Sequence, residues 1–82
     1  MRLRRWDPTG PAICRHRRGR GFSYTDPDGQ KITDEALLQR IANLVIPPAW
    51  RDVRICPWPN GHLQVIGTDD AGRRQYLYHP AW

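Results

Sequence analysis

Asn60-Gly61-His62-Leu63-Gln64-Val65-Ile66-Gly67-Thr68-Asp69-Asp70-Ala71-Gly72-Arg73-Arg74-Gln75-Tyr76-Leu77-Tyr78-His79 is the stretch on which the fold of this 82-residue chain turns. Two runs of strand-forming residues flank Asp69-Asp70-Ala71-Gly72, a cluster of turn formers. The reading is a β-hairpin, with strands at 62–68 and 73–79. Side chains alternate along a strand, so Arg74, Tyr76 and Tyr78 of the return strand share one face. A guanidinium and two phenols in a row can hold phosphate oxygens.

Upstream of the hairpin, residues 51–56 alternate, with Val53 and Ile55 pointing inward as a further strand. Pro57-Trp58-Pro59-Asn60-Gly61 is the turn between them. Residues 34–45 read as a helix. Thr33 or Asp34 caps it, Asp34 and Glu35 sit at its positive end, and Leu37, Leu38, Ile41, Leu44 and Val45 form one apolar stripe. Pro47-Pro48 stops it. Before the helix, residues 21–26 alternate as a strand, Asp26-Pro27-Asp28-Gly29 turns, and residues 30–33 return. The expected fold class is α+β: a mostly antiparallel five-stranded β-sheet with one main helix.

Residues 1–20 look different. Arg2, Arg4, Arg5, Arg15, Arg17, Arg18 and Arg20 face the single acid Asp7, and Pro8, Gly10, Pro11 and Gly19 interrupt any periodicity. These residues carry a net +6 and the rest of the chain −1, so the whole formal charge of +5 originates here. The expectation is a basic, mobile N-terminal arm ahead of a single domain at 21–82, with Trp6 and Ile13 able to dock on that domain. Twelve of the thirteen bases are arginine, the side chain that forks onto phosphate and stacks on flat rings.

Several chemistries find no support. Cys14, His16, Cys56, His62 and His79 are scattered and lack paired zinc-ligand spacing. No serine lies in a nucleophile elbow, and no Cys–His–acid set can be assembled. Asp69-Asp70 reads as a turn former, and Arg17-Arg18-Gly19-Arg20-Gly21 lacks P-loop spacing. Two cysteines outside a CxxC pair suit reduced cytosolic thiols. No apolar run approaches the roughly 20 residues of a membrane span, and the N-terminus has no signal-peptide pattern. The expectation is an intracellular, cytoplasmic monomer with no membrane partner and no cofactor or metal. Nucleic-acid binding remains: the arm attracts phosphates without reading sequence, the hairpin strand makes shaped contacts, and Gln75 can pair with a base edge. Two other readings stay open. One is a protein-interaction module using Trp58 or Trp82. The other is an RNA-binding domain that stacks bases on exposed rings.

Four segments carry a resemblance. They are Arg17-Arg18-Gly19-Arg20-Gly21-Phe22-Ser23-Tyr24, Ile46-Pro47-Pro48-Ala49-Trp50-Arg51-Asp52-Val53, Asn60-Gly61-His62-Leu63-Gln64, and Gly72-Arg73-Arg74-Gln75-Tyr76-Leu77-Tyr78-His79. In this order, over roughly residues 13 to 82, they resemble the N-terminal domain of the small bacterial and poxvirus type IB DNA topoisomerases. The resemblance implies a lobe that clamps one side of duplex DNA while a larger, C-terminal helical domain closes from the other. It implies DNA contacts at Arg73, Arg74, Gln75, Tyr76 and Tyr78, with the tyrosines on the backbone and Gln75 facing bases. Arg15, Arg17, Arg18 and Arg20 add nonspecific attraction. The family relaxes supercoils through a 3′-phosphotyrosyl intermediate, without metal or nucleotide, and its nucleophile belongs to the helical domain. No residue of this chain is expected to be catalytic. The expectation is a nucleoid-associated lobe that is not an enzyme on its own, an excised domain or fragment partnered by duplex DNA and the catalytic domain. On a regular strand Gln75 points away from Tyr76 and Tyr78. A twist or bulge beside Gly72 is expected to reconcile this.

Overall fold

The computed structural model describes residues 2–82; Met1, the first residue of the expected arm, lies outside them. Its elements are β1 (Ile13–Arg18), β2 (Gly21–Thr25), α1 (Glu35–Asn43), β3 (Arg51–Ile55), β4 (Leu63–Thr68) and β5 (Arg74–Tyr78). The strands form one antiparallel sheet in the order β2-β1-β3-β4-β5. This is the expected α+β class, five antiparallel strands and one helix.

One of the five strands is not the one expected. Residues 30–33 supply only an isolated bridge, Lys31 to Thr25, next to a sound turn in which the Asp26 side chain accepts from the Asp28 and Gln30 N–H groups. The fifth strand is β1, inside the segment read as an irregular arm. Its charge disguised it. Arg15 and Arg17 face β2, and their guanidiniums lie over Phe22, 4.0 and 5.0 Å from the ring centre. An arginine stem and a flat cation cover apolar surface much as a hydrophobic residue does. In the β1–β2 turn Arg18 pairs with Gly21, and Gly19 holds φ 57 at the first of two loop positions, the pattern of a type II′ hairpin.

Two cross-strand rows organise the core. Ile13, Ile55, Val65 and Leu77 are register partners across β1, β3, β4 and β5. With Val53, Ile32 and Ile41 they meet Leu37, Leu38, Leu44, Ile46 and Trp50 on the helix side of the sheet. Asp34 caps α1 by accepting the Leu37 N–H at 3.2 Å. The helix stops at Asn43, short of the expected residue 45: Val45 has φ 52 and is 79% exposed, so it leaves the apolar stripe. Ile46 precedes Pro47, which disfavours helical backbone there.

The second row, Thr25, Cys14, Arg54, Ile66 and Tyr76, lies on the other face. Here residues 2–12 fold back over the sheet. Arg4 N–H donates to Asn60 O and Arg4 O accepts from His62 N–H. Arg54 donates to Pro8 O and Gly10 O at 2.7 and 2.8 Å. Trp6 is buried with Ala12, Cys56, Leu63 and Ile66, and its indole N–H donates to Pro11 O. Both Trp6 and Ile13 dock, as the sequence allowed. Between the faces, Arg40 of α1 donates to Cys56 O, Trp58 O and Gln64 Oε1, which gives the buried Gln64 its partner. Gln64 in turn donates to Gly61 O at 2.8 Å.

Candidate nucleic-acid interface

The turn Asp69-Asp70-Ala71-Gly72 is built by one carboxylate. Asp69 Oδ1 accepts from the Ala71 and Arg73 N–H groups at 3.0 and 2.9 Å, and Oδ2 accepts from Gln75 Nε2 at 2.8 Å. Gly72 closes the turn at φ 78. These donors hold the Asp69 carboxyl below the ordinary value of 3.8, the Arg73 N–H most of all, then Gln75. The turn starts β5, one of the two edge strands of the sheet.

On β5, Arg74, Tyr76 and Tyr78 are exposed while Gln75 and Leu77 are half-buried. The Arg74 guanidinium makes no hydrogen bond or ion pair among the described residues, so its fork is unspent. Tyr76 sits over Ile66, and with Arg74, Arg54, Pro8 and Thr9 it lines an open cleft of about 420 Å³. The folded-back N-terminal segment is the far wall of that cleft. Sequence reasoning missed both Thr9 and Arg54, because an isolated Trp6 signals that the segment can dock but not where residues 2–12 meet the sheet.

A row of rings continues from the tyrosines. Tyr76 and Tyr78 are 6.3 Å apart between centres with planes inclined 28°, and Tyr78 and Trp82 are 6.4 Å apart at 13°. His62 meets Trp82 edge-on at 4.9 Å. Its Nδ1 accepts the Trp6 N–H at 3.1 Å, so the ring links the N-terminal segment to the exposed row.

The nine residues singled out in the sequence do not form one patch. Gln75 pairs with Gly67 on the helix side, opposite Tyr76, and is held by Asp69. No bulge relieves this: pairing from Arg74–Thr68 to Leu77–Val65 is regular, and the irregularity falls between Leu63 and Val65 instead. Arg73 is exposed beside Asp69 at 3.5 Å, a contact of little energetic weight. Arg15 donates to Pro47 O and Trp50 O, and Arg17 to Pro48 O, so both brace the loop after α1. Arg18 donates to Ser23, and Arg20 is exposed at the β1–β2 tip. β1 is three strands from β5, about 14 Å at the usual strand spacing. Among the described residues there is no cluster able to hold a metal ion, and no helix is long and apolar enough to cross a membrane.

The chain is similar to proteins of known kind. Residues 21–69, from β2 through β4, match the model of the bacterial DNA topoisomerase IB N-terminal domain. Over 67 residues, 82% of this chain, it is 40% identical to the DNA topoisomerase 1B of Acanthamoeba polyphaga mimivirus. That stretch spans 20% of the mimivirus protein's length. No solved structure matches the chain. An α+β lobe with an exposed Arg–Tyr–Tyr edge, matched over most of its length, belongs to the family of bacterial DNA topoisomerase IB N-terminal domains.

Proposed function

We propose that this chain is a duplex-DNA-binding lobe of a type IB topoisomerase, and that the β4–β5 ribbon is its reading edge. The observation that carries the proposal is the outward row Arg74, Tyr76, Tyr78 on an edge strand, with Arg74 unspent. In this reading Arg74 forks onto a phosphate and the two phenol hydroxyls donate to neighbouring phosphates. The major groove admits a two-stranded β-ribbon. A ribbon entering edge-first meets DNA on both of its faces, so Gln75 and the tyrosines serve together without a bulge. Gln75 exchanges its bond to Asp69 for a base edge. Arg73 lies at the tip of the same ribbon. Arg18 and Arg20 attract the duplex from the far side of the sheet, and Arg15 and Arg17 contribute charge while bracing the Pro47–Trp50 loop.

Strand cleavage, in this reading, is the work of a catalytic domain that closes on the opposite side of the duplex, and the lobe's own task is positioning. A single clamp half binds in the range of nonspecific complexes, roughly 10⁻⁴ to 10⁻⁶ M. Amide-shift mapping with a short duplex tests the reading. Perturbations concentrated on β5 and the Asp69–Gly72 turn are expected; a silent β5 overturns it. In the folded Tyr76→Phe/Tyr78→Phe variant, which loses two hydroxyls and no ring, duplex affinity is expected to fall several-fold. Undiminished affinity assigns the tyrosines to packing.

A further inference from the structure

The ring row offers more than a duplex can use. Tyr76 and Tyr78 are 50% and 51% exposed and Trp82, whose side chain is all ring, 63%. Inside a duplex every base face is covered by the next base, so a groove presents edges and phosphates to these rings and nothing flat. Trp82 has no hydroxyl to give a phosphate, only an N–H. Rings in near-common orientation, spaced 6.3 and 6.4 Å along an open sheet face, match unstacked bases instead. The charge around the row is complementary to a phosphate chain. Arg74 lies on the strand, and exposed Arg5 lies on the segment that pairs with Asn60 and His62, next to Arg4, whose guanidinium rests on the Trp58 ring. Asp7, the acid of that segment, is engaged by Thr9 at 2.7 Å.

We propose that Tyr76, Tyr78 and Trp82, edged by His62, form a stacking platform for the bases of an unpaired nucleic-acid strand. This is a second binding mode of the same sheet face, carried by ring faces where the duplex mode is carried by hydroxyls and guanidiniums. It does not depend on the duplex reading. His62 fixes the platform: its Nδ1 is occupied by Trp6, so the ring presents its edge to Trp82 at a set angle.

The test compares three dye-labelled strands of about twelve nucleotides, within the span single-strand sites cover: oligo(dT), oligo(U), and an abasic strand with the same phosphates. Binding is read by anisotropy at low salt. Either base-bearing strand is expected to bind at least about fivefold more tightly than the abasic one, the lower bound for one stacked base. Whichever of the two binds better names the strand the platform prefers. Trp82→Ala should cancel most of that margin and Trp82→Phe should keep it. Trp82 is largely exposed, and an unchanged circular dichroism spectrum verifies the fold of both variants. Equal binding of abasic and base-bearing strands overturns the platform, as does a margin untouched by Trp82→Ala. The Tyr76→Phe/Tyr78→Phe variant separates the two readings: it keeps both rings and so retains the strand margin, whatever becomes of its grip on duplex.

Discussion

Val45 is held in a conformation that a β-branched residue rarely adopts. It follows the helix cap Leu44, has φ 52, and donates its N–H to Ala42 O at 3.1 Å, the position helices usually give to glycine. The left-handed conformation costs an L-residue about 1–2 kcal/mol, and glycine loses about 0.4–1 kcal/mol more entropy on folding. Val45→Gly should therefore stabilise the chain by about 0.5–1 kcal/mol, seen as a higher urea midpoint; a lower midpoint refutes the strain. Asp69 makes a different prediction. Its carboxyl is held below 3.8 in the folded state, so its contribution is complete above 3.8 and disappears as pH falls through the lowered value. Urea midpoints should drop on acidification below 3.8 more steeply in the parent chain than in Asp69→Ala. Equal slopes would remove Asp69 from its place as keystone of the turn. Gly67 is fixed by packing rather than backbone: an added Cβ would sit 2.7 Å from Trp50 Cε3. Gly67→Ala should cost about 1–3 kcal/mol by displacing the indole from the core.

Among the elements, the hairpin of β4 and β5, the helix and β3 were all legible, because each carries a periodic apolar pattern bounded by turn formers. Val53 and Ile55 point inward as their alternation required. β1 was not legible as a strand, since three of its six residues are arginine, and arginine over Phe22 hides apolar contact behind a charge. The same misreading scattered the candidate site: Arg15 and Arg17 look like phosphate ligands in sequence and act as braces for carbonyls in the fold. Arg74, Tyr76 and Tyr78 were legible as a row because strand alternation alone fixes their common face. The return of residues 2–12 left one clue, Trp6, an isolated large ring in a polar segment. Trp6 is 3% exposed. Trp6→Ala should cost about 3–5 kcal/mol, a large part of the roughly 4–12 kcal/mol available to a domain of this length. A variant with unaltered thermal stability would show that the segment adds nothing to the fold.

At the scale of the molecule, the charge is spread around a thin body measuring 37 × 32 × 22 Å. Residues 2–20 carry +6 against −1 for the rest, yet they are distributed over both sheet faces and the β1–β2 tip. Long-range attraction and close contact therefore belong to different arginines. If about four phosphates are neutralised by the lobe, duplex affinity should fall with a log–log salt slope near −3.6. Arg20→Ala, at the far tip, should lower association at low salt and leave that slope nearly unchanged. Arg74→Ala should reduce it by about one.

The thiol of Cys56 is fully buried against Trp58, beneath Gly61, where an added Cβ would collide with its sulfur. Burial pushes its pKa above the ordinary 9.0, so little reactive thiolate forms. Cys14 is only partly covered. The molecule thus carries a fast and a slow sulfur. An aromatic disulfide reagent should consume the first promptly and the second only as quickly as the whole lobe comes apart, and duplex DNA, bound as proposed, should lengthen that second wait.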